Sequence, residues 1–372
     1  MRVAIIGARG IPARYSGWET VATELAPRLV ARGCDVTVYC QRRYSLPDRP
    51  STYDGVRLVY LPAIQRQALE NTSHQAISLA HALRCRYDVI YVLGMRATPL
   101  YAVARGARAT IFFNTDGHDW KRRKWGPKAR RYLQWNERTG VRINPDGLIA
   151  DSQAIAEYFV NRYRVTPTFI PHGAPAVDPP GTATILARGL DAGQYFLSVC
   201  RIEPENNVDK TIAAYAGLVT DKKLVIVGDT NYRSSYFEDI QRSAPPGVLF
   251  TGRIFEPDEL NALFCHSFAY IHGHEVGGTN PSLLHAMAAG CAVFANDVPY
   301  NREALGDTGG YWASTDALRR LMQAALDAPE SIGRFPEAAR KRVAEYYDWE
   351  DIADQYLALF AKRLASRPVR VR

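Results

Sequence analysis

Short apolar runs alternate with amphipathic segments through the first half of the chain. The run RVAIIG at residues 2–7 predicts a buried strand, and residues 19–31 repeat apolar side chains at helical spacing. Further strand-like runs follow at VTVYC, VRLVYL, DVIYVLG, ATIFFNTDG and DGLIADS. This alternation is typical of a parallel α/β sheet with helical crossovers.

The second half repeats the alternation. Strands are predicted at YFLSVCR, KLVIVGD, VLFTGR, FAYIHG and CAVFA, with helices at 209–217 and 257–264. Between the halves, GAPAVDPPG is a proline-rich break without periodicity. We therefore predict an α/β fold of two doubly wound, Rossmann-like domains facing a cleft, covering residues 1–177 and 178–349. Residues 350–372 should form a C-terminal helix that packs back toward the first domain.

One stretch, from Gly273 to Trp312, carries the clearest local signal. Asn280 is a good N-cap, Pro281 suits the first helical position and Gly290 is a helix stop, so 281–289 should form a short helix. Its N-terminus, preceded by Gly277 and Gly278, could hold an anion. The alternative is an ordinary capped helix packed on a sheet.

Ligands of doubly wound sheets bind beyond the carboxyl ends of the strands. On that basis five segments should line the cleft: Gly10 to Gly17, Arg201, Gly228, Gly252 to Ile254 (with Arg253), and Gly277 to Ser282. The first loop has the spacing GxxGxP instead of the dinucleotide pattern GxGxxG, and Asp35 precedes its strand. A dehydrogenase is therefore disfavoured.

Length and composition fit a globular chain without an obvious export signal. At 372 residues and 47% hydrophobic content the chain can bury two cores. The six cysteines show no metal-finger spacing and several lie in apolar runs, which is typical of reduced thiols. The first apolar run is too short for a secretory signal, and no 18-residue apolar segment occurs. We expect a cytoplasmic protein.

Charge is unevenly distributed along the chain. Residues 1–185 hold 26 Lys and Arg against 14 Asp and Glu, whereas residues 186–372 hold 20 against 24. The stretch from Trp120 to Trp135 gathers seven of these cations with three tryptophans. This composition favours an anionic membrane surface. Nucleic acid binding, or a solvated basic face with tryptophans packed inward, is the alternative; we do not expect nucleic acid as the partner.

Several of these motifs together resemble a known enzyme family. The run from SVCRIEPENN through HGHEVGGTNPSLLHAMAAG to PYNREALGDTGGYW resembles the donor half of retaining family 4 glycosyltransferases, which have the GT-B fold. The start, GARGIPARYSGWET, with the later DGHDWKRRKWG, is similar to a bacterial rhamnosyltransferase-like subgroup. The resemblance implies a nucleotide-diphospho-sugar held by the second domain, an acceptor held by the first, and no metal or other cofactor; the absence of a DxD motif agrees.

Sugar transfer leaves negative charge on the departing diphosphate, so the site needs a cation and fixed N–H donors. Arg201 is the expected cation, because guanidinium holds phosphate at two points and stays charged. The alternative is that Arg201 only pairs with Glu203 or Glu205. The backbone amides of residues Thr279 to Leu283, a range that includes Pro281 and Ser282, should supply the neutral donors. Gly17 should let the N-terminal loop close over the phosphates.

The chain departs from the family pattern at three donor positions. Asn206 stands where the family has a lysine, and the two family glutamates fall on Gly277 and His285. His285 could hydrogen-bond the ribose through a ring nitrogen, or only pack on its helix. Glu275 could face the sugar, or only be solvated. An inactive homologue is therefore one alternative.

Retention needs no protein base, since the leaving phosphate oxygen can take the acceptor proton, but a side chain should orient the acceptor. Asp116 and His118, after the strand ATIFFNT, are the catalytic candidates by position, with local loop roles as the alternatives. The acceptor should contact Arg14, Tyr15, Asp119 and Trp120.

These features together predict a peripheral enzyme on the inner face of the plasma membrane. It should transfer rhamnose from dTDP-rhamnose, with UDP- or GDP-sugars as other donors, to a lipid-linked or polysaccharide acceptor. The alternatives are a hexosyltransferase of the same family and a non-catalytic protein that binds nucleotide-sugars.

Overall fold

The computed structural model describes residues 1–13, 17–44, 48–66, 69–106, 109–115, 117–144, 147–230 and 233–366. The chain divides into two compact units. The first comprises residues 1–121, 125–173 and 349–372, and the second comprises residues 122–124 and 174–348. Residues 122–124 therefore belong to the second unit although their neighbours on both sides belong to the first.

Among the described residues, the first unit contains an eight-stranded sheet in the order β3-β4-β2-β1-β5-β6-β7-β8. The strands are β1 (Arg2–Ile6), β2 (Asp35–Gln41), β3 (Thr52–Tyr53), β4 (Val56–Leu61), β5 (Val89–Leu93), β6 (Thr110–Asn114), β7 (Leu148–Ala150) and β8 (Thr168–Phe169). All pairs are parallel except β3 with β4. Every residue of β5 and β6 is buried, as expected of strands covered on both faces.

Helices cover this sheet on both sides. They are α1 (Gly17–Ala31), α2 (Glu70–Ala82), α3 (Pro127–Ile143), α4 (Gln153–Tyr163) and, from the end of the chain, α13 (Trp349–Ala365). Strand β1 pairs with β2 on one side and β5 on the other. The strands that follow β1 are added to the sheet first on its β2 side and later on its β5 side. This change of direction leaves a crevice at the carboxyl ends of β1 and β5.

The C-terminal helix α13 is part of the first unit's core. Its Tyr356 hydroxyl lies 2.8 Å from that of Tyr91 on β5, and the Phe360 ring packs at a tilt against Phe112 of β6, at 4.9 Å between ring centroids. Tyr356 and Phe360 are fully buried. Burial of these aromatic rings holds the C-terminal helix against the sheet formed by the N-terminal part of the chain.

The second unit holds a six-stranded parallel sheet, counted over the described residues, in the order β11-β10-β9-β12-β13-β14. Its strands are β9 (Tyr195–Val199), β10 (Lys223–Val227), β11 (Val248–Gly252), β12 (Ala269–His272), β13 (Val293–Asn296) and β14 (Gly310–Trp312). Its helices are α5 (Ala183–Leu186), α6 (Val208–Tyr215), α7 (Ser235–Ser243), α8 (Pro257–Cys265), α9 (Pro281–Ala289), α10 (Pro299–Leu305), α11 (Thr315–Asp327) and α12 (Phe335–Tyr346).

The fold class predicted from the sequence is confirmed: both units are parallel α/β sheets covered by helices. The units separate after Gly173, within residues 170–181 that form neither helix nor strand, whereas the sequence placed the boundary after residue 177. Within the described part of the chain, no helix combines the length and apolar character that crossing a bilayer requires.

Replacing Phe360 by alanine should destabilise the first unit by about 3–5 kcal/mol, because it empties a fully buried aromatic site against Phe112. Urea unfolding followed by circular dichroism measures the loss. The exposed Gln355→Ala on the same helix is the control and should stay within about 0.5 kcal/mol of wild type. Equal effects of the two variants would show that α13 does not belong to this core.

Candidate functional site

The second unit's sheet changes winding direction between β9 and β12. These strands are neighbours, although β10 and β11 lie between them in sequence. Ligands of doubly wound sheets bind at such a point, beyond the carboxyl ends of the strands. Arg201 follows β9 and Gly273 follows β12, so the turn after β9 and the loop after β12 are brought together here.

Glycine makes the close approach of these two segments possible. A Cβ on Gly273 would lie 2.1 Å from the carbonyl oxygen of Asn206, so no larger residue fits without moving the backbone. The Glu275 amide donates to the Glu205 carbonyl at 3.0 Å, and the Asn207 side chain donates to the Gly273 carbonyl at 2.8 Å. The turn and the loop therefore form one hydrogen-bonded surface.

The predicted helix at 281–289 is confirmed as α9. Asn280 caps it by accepting the Ser282 amide at 3.0 Å, and Gly290 ends it at φ +74°. The cap limits the predicted anion site, because Pro281 has no N–H and the Ser282 and Leu283 amides both donate to Asn280. The prediction that amides through Leu283 face an anion is thus wrong for those three residues.

Arg201 stands beside a carboxylate in the same turn. Its Nη1 atom lies 3.6 Å from Glu203 Oε1, and its side chain keeps about a third of its surface exposed, 31%. The distance is that of an ion pair without a direct hydrogen bond. Pairing with Glu203, the alternative raised from the sequence, is therefore present, yet a good part of the guanidinium surface stays accessible.

Three consecutive cations of the second unit pair with three glutamates around this turn. Lys124 Nζ lies 2.9 Å from Glu203 Oε1, Arg123 Nη2 lies 2.6 Å from Glu275 Oε2, and Arg122 Nη1 lies 3.6 Å from Glu205 Oε1. Glu205 is completely buried. Buried carboxylates stay ionised only when cations accompany them, so residues 122–124 complete this surface electrostatically.

The two glutamates of the turn titrate in opposite directions. Burial favours the neutral form of Glu203, but the charges of Arg201, Lys124 and Arg122 outweigh it and lower the pKa of Glu203 to about 2. The pKa of Glu205 is raised, first by burial and then by the negative charge of Glu203. The surrounding cations thus favour the charged form of Glu203, whereas burial and the charge of Glu203 work against the charged form of Glu205.

The remaining donor-side candidates have definite partners. Glu275 accepts from Arg123, and Asn207 Nδ2 lies 3.3 Å from the same carboxylate oxygen. The buried Asn206 donates to the Arg201 carbonyl at 2.6 Å. The Asn206 side chain thus stabilises the turn. It carries no charge, whereas the family that the sequence resembles has a lysine at this position.

His285 is engaged with α8. Its Nε2 atom lies 2.6 Å from Asn261 Oδ1, and its ring stacks on Phe264 at 4.4 Å between centroids. Burial lowers the pKa of His285 to about 4, so the ring is neutral near pH 7. A carboxamide oxygen only accepts, so this bond places the proton on Nε2 and leaves Nδ1 as an acceptor.

The candidates after β10 and β11 lie at the same edge of the sheet. Arg253 donates to the Thr230 carbonyl at 2.8 Å and lies 3.8 Å from Asp229, while Ile254 packs partly buried against the core. In the first unit, Gly17 begins α1. Arg14, Tyr15 and Asp116 lie outside the described residues, so their predicted roles stay predictions.

His118, Asp119 and Trp120 follow β6 and are held by neighbours in the first unit. Asp119 forms a 2.8 Å ion pair with Arg96, and the Trp120 indole donates to Glu137 at 3.1 Å. The ring of His118 packs on Tyr158 at 4.2 Å between centroids. Burial, helped by the charges of Lys121 and Arg162, lowers the pKa of His118 to about 4, so it is a neutral imidazole at pH 7.

The basic stretch does not form a single surface. Arg122, Arg123 and Lys124 are committed to glutamates of the second unit, and the Trp120 indole N–H is used inside the first. The prediction that all seven cations and the tryptophans between Trp120 and Trp135 face a membrane together is therefore wrong. Most of the exposed cations of the stretch lie on α3.

Helix α3 carries an exposed basic stripe with i, i+3 and i+7 spacing. This stripe consists of Lys128, Arg131, Trp135, Arg138 and Arg142. Trp135 is 53% exposed, which is unusual for so large an apolar ring. Beside it, Arg162 and Tyr163 of α4 help to line a cavity of about 660 Å³ together with Trp135, Arg138 and Arg142.

Two residues of α10 support the loop before α9 and were not predicted from the sequence. Tyr300 of α10 donates to the Glu275 carbonyl, and Asn301 donates to the His274 carbonyl at 3.0 Å. His274 stacks on His272 at 4.5 Å between centroids. The motif PYNREAL contains both α10 residues, but nothing in its pattern indicates which loop they hold.

The comparisons with known proteins divide the chain where the structure does. Residues 190–342 match the family of glycosyl transferases group 1, and residues 1–175 match a domain of unknown function, DUF1972. The range 190–342 that matches this family lies entirely within the second unit. Arg201, the buried glutamates and the loop before α9 all lie within it.

Comparisons with whole proteins find similarity over nearly the full length of the chain. The chain is 22% identical to the α-maltose-1-phosphate synthase of Mycolicibacterium smegmatis, over 97% of this chain and 99% of that protein. Sucrose-phosphate synthase from Thermosynechococcus elongatus superposes with a TM-score of 0.81 at 19% identity, covering 98% of this chain and 100% of its own. Anabaena HepE in complex with UDP-glucose gives 0.74 at 17%, covering 99% and 100%. The fold is GT-B.

Replacing Glu203 by glutamine should lower the free energy of unfolding by about 2–3 kcal/mol at pH 7, because it strips a charge partner from Arg201 and Lys124. The folded-state pKa lies below the ordinary 4.5, so this contribution is complete above pH 4.5 and is lost as the pH falls toward 2. Urea unfolding at several pH values measures the difference.

The exposed pair partner Glu238 provides the control, since Glu238→Gln should change stability little at any of these pH values. If the free energies of unfolding of wild type and E203Q differed by the same amount at pH 7 and pH 3, the assigned ionisation of Glu203 would be contradicted.

Proposed function

We propose that this protein is a retaining glycosyltransferase that takes a sugar from a nucleoside diphosphate sugar. The observation that supports this most directly is the partly accessible guanidinium of Arg201 beyond β9, where the sheet changes winding direction. The matched glycosyl transferases group 1 domain contains this residue. The solved relative HepE binds UDP-glucose.

In the proposed reaction the bond between the anomeric carbon and the diphosphate breaks while the acceptor hydroxyl oxygen bonds to the same carbon on the same face. The acceptor proton passes to the leaving phosphate oxygen. Charge developing on the diphosphate is met by Arg201 and by backbone amides of the loop before α9, without a divalent ion. These groups are fixed by the fold, so they need little reorganisation during the reaction.

His118 suits the role of orienting the acceptor. Its depressed pKa keeps the imidazole neutral at physiological pH. A neutral ring nitrogen accepts a hydrogen bond from a hydroxyl, whereas an imidazolium cannot. Its Nε2 atom is buried and has no hydrogen-bond partner among the described residues, so a substrate hydroxyl would satisfy it.

For the donor we favour dTDP-rhamnose, on the resemblance of the first half to rhamnosyltransferase-like proteins, with UDP- and GDP-hexoses as the competing donors. For the acceptor we favour a lipid-linked glycan. The exposed basic stripe on α3 supports this choice, because a soluble enzyme that meets its acceptor in a bilayer benefits from a cationic surface beside indole.

Purified protein should transfer sugar from at least one of dTDP-rhamnose, UDP-glucose and GDP-mannose to lipid-linked saccharides. Arg201→Gln should lower kcat by about 10²- to 10³-fold, the loss typical of one fixed group that stabilises charge in the transition state. Product formation is followed by mass spectrometry. Arg242→Gln, an exposed change in the same unit, should keep wild-type activity.

Failure of the wild type to transfer or hydrolyse any of these donors would overturn the proposed activity. Binding of a donor without turnover would instead support the non-catalytic alternative. Equal activity of wild type and R201Q would remove Arg201 from the site.

The α3 stripe should bind anionic membranes reversibly. Changing Lys128, Arg131 and Arg138 together to glutamine should weaken binding to phosphatidylglycerol vesicles about 100-fold, since each cation contributes about 1 kcal/mol. Co-sedimentation at several salt concentrations measures binding. The charge-matched control changes the exposed Arg233, Arg242 and Arg320 of the second unit.

Equal losses in the two triple variants would show that net charge, and not the stripe, drives binding. Stronger binding of wild type to duplex DNA than to vesicles at moderate salt would favour nucleic acid as the partner and contradict the membrane proposal.

A further inference from the structure

Residues 122–124 differ in how tightly their glutamate partners hold them. Lys124 and Arg123 are hydrogen-bonded to Glu203 and Glu275 at 2.9 and 2.6 Å. Arg122 lies 3.6 Å from Glu205, beyond hydrogen-bond distance. Both carboxylate oxygens of Glu205 are buried without a hydrogen-bond partner among the described residues. Lys124 and Arg123 therefore anchor the segment, whereas Glu205 sets the position of Arg122 by charge without a direct bond.

Arg122 and Arg201 each form a long ion pair with one glutamate of the same turn. Each guanidinium lies 3.6 Å from a glutamate oxygen, and those two glutamates belong to one turn, residues 203–207. Arg122 is also the more enclosed of the two, with 12% of its side chain exposed against 31% for Arg201. The turn thus gathers two guanidinium groups at the end of β9.

Both guanidinium groups also act on the same ring. The pKa of His274 is lowered well below its usual value, first by burial, then by the neighbouring His272, and then by the charges of Arg201 and Arg122. Arg122 likewise lowers the pKa of Tyr300, which burial raises, and the Tyr300 hydroxyl donates to the Glu275 carbonyl in the loop before α9. Arg122 is therefore near both Arg201 and that loop.

Charged side chains of both signs are concentrated around this turn. Among the described residues, four cations, Arg122, Arg123, Lys124 and Arg201, gather here with three carboxylates, Glu203, Glu205 and Glu275. Arg122 and Arg201 each bring a guanidinium group to a different glutamate of this turn. Two like charges held close in a low dielectric repel each other, and a bound dianion relieves that repulsion.

We propose that Arg122 is a second diphosphate-binding residue of the donor site, placed beside Arg201 by Glu205 and by the anchoring pairs Lys124–Glu203 and Arg123–Glu275. This inference rests on the proposed function, since it names a further contact to the same donor. Two guanidinium groups at one diphosphate share its charge, and each can make two-point contact with phosphate oxygens.

The test compares UDP with uridine by titration calorimetry. Arg122→Gln should weaken UDP binding about tenfold or more while uridine binding stays unchanged, because a phosphate contact is lost and the base and ribose contacts remain. Arg122→Lys keeps the charge without two-point contact and should weaken UDP binding by a smaller factor. Arg242→Gln, which removes an exposed cation of the second unit, should bind UDP as wild type does.

A role in stability alone would give a different pattern. Arg122→Gln would then lower the melting temperature and weaken UDP and uridine by the same factor, which would overturn the proposal. If R122Q does not fold, R122K decides: unchanged UDP affinity overturns the proposal, and a selective loss for UDP supports it.

Arg201→Gln separates this inference from the proposed function. If R201Q loses UDP affinity while R122Q keeps it, only the role of Arg122 is overturned. If wild type binds none of UDP, dTDP and GDP, the proposed function and this inference fail together.

Discussion

Burial of the turn carboxylates is the constraint on which the second unit's site depends. Glu205 is completely enclosed, and Glu203 and Glu275 keep less than a quarter of their side-chain surface. Carboxylates in such surroundings need cations or protons. The chain supplies the cations, since residues 122–124 bring three of them to the turn.

This charge requirement acts on a geometry that the backbone has already set. The crossovers place β9 beside β12, and glycine at 273 lets the loop after β12 contact the turn after β9. Arg201 and the loop before α9 are then close without any attraction between their side chains. Charge decides which side chains fill the space, whereas sheet topology decides where the space is.

Features with local causes could be predicted from the sequence, and those with tertiary causes could not. Helix α9 was predicted to the residue because its cap, its first-turn proline and its terminal glycine all act within ten residues. The strands could be predicted for the same reason, because they occur in the sequence as continuous apolar runs. The orientation of the His285 ring, by contrast, depends on Asn261, which lies 24 residues earlier on another helix. No pattern near His285 indicates that contact.

The amides of α9 show how a correct local prediction can still mislead about chemistry. The residues that make Asn280 and Pro281 a strong helix start also use or remove the donors that an anion would need. A well-capped N-terminus is a weaker anion site than an uncapped one, since the cap side chain occupies the place of the ligand. The dipole of the helix remains, so the loop before it still favours negative charge.

The basic stretch from 120 to 135 was the most instructive error. Its composition suggested one cationic surface, yet residues 122–124 pair with glutamates of the second unit and α3 presents its own stripe to solvent. Gly126 and Pro127 separate the two parts, because proline starts the helix and sets a new direction for the chain. The first half of the sequence has a large excess of Lys and Arg over Asp and Glu. The excess on the surface that a polyanion can contact is smaller, because residues 122–124 are paired with glutamates. What such a partner encounters is the spacing of charges along α3, and that spacing is a property of the helix and not of the count.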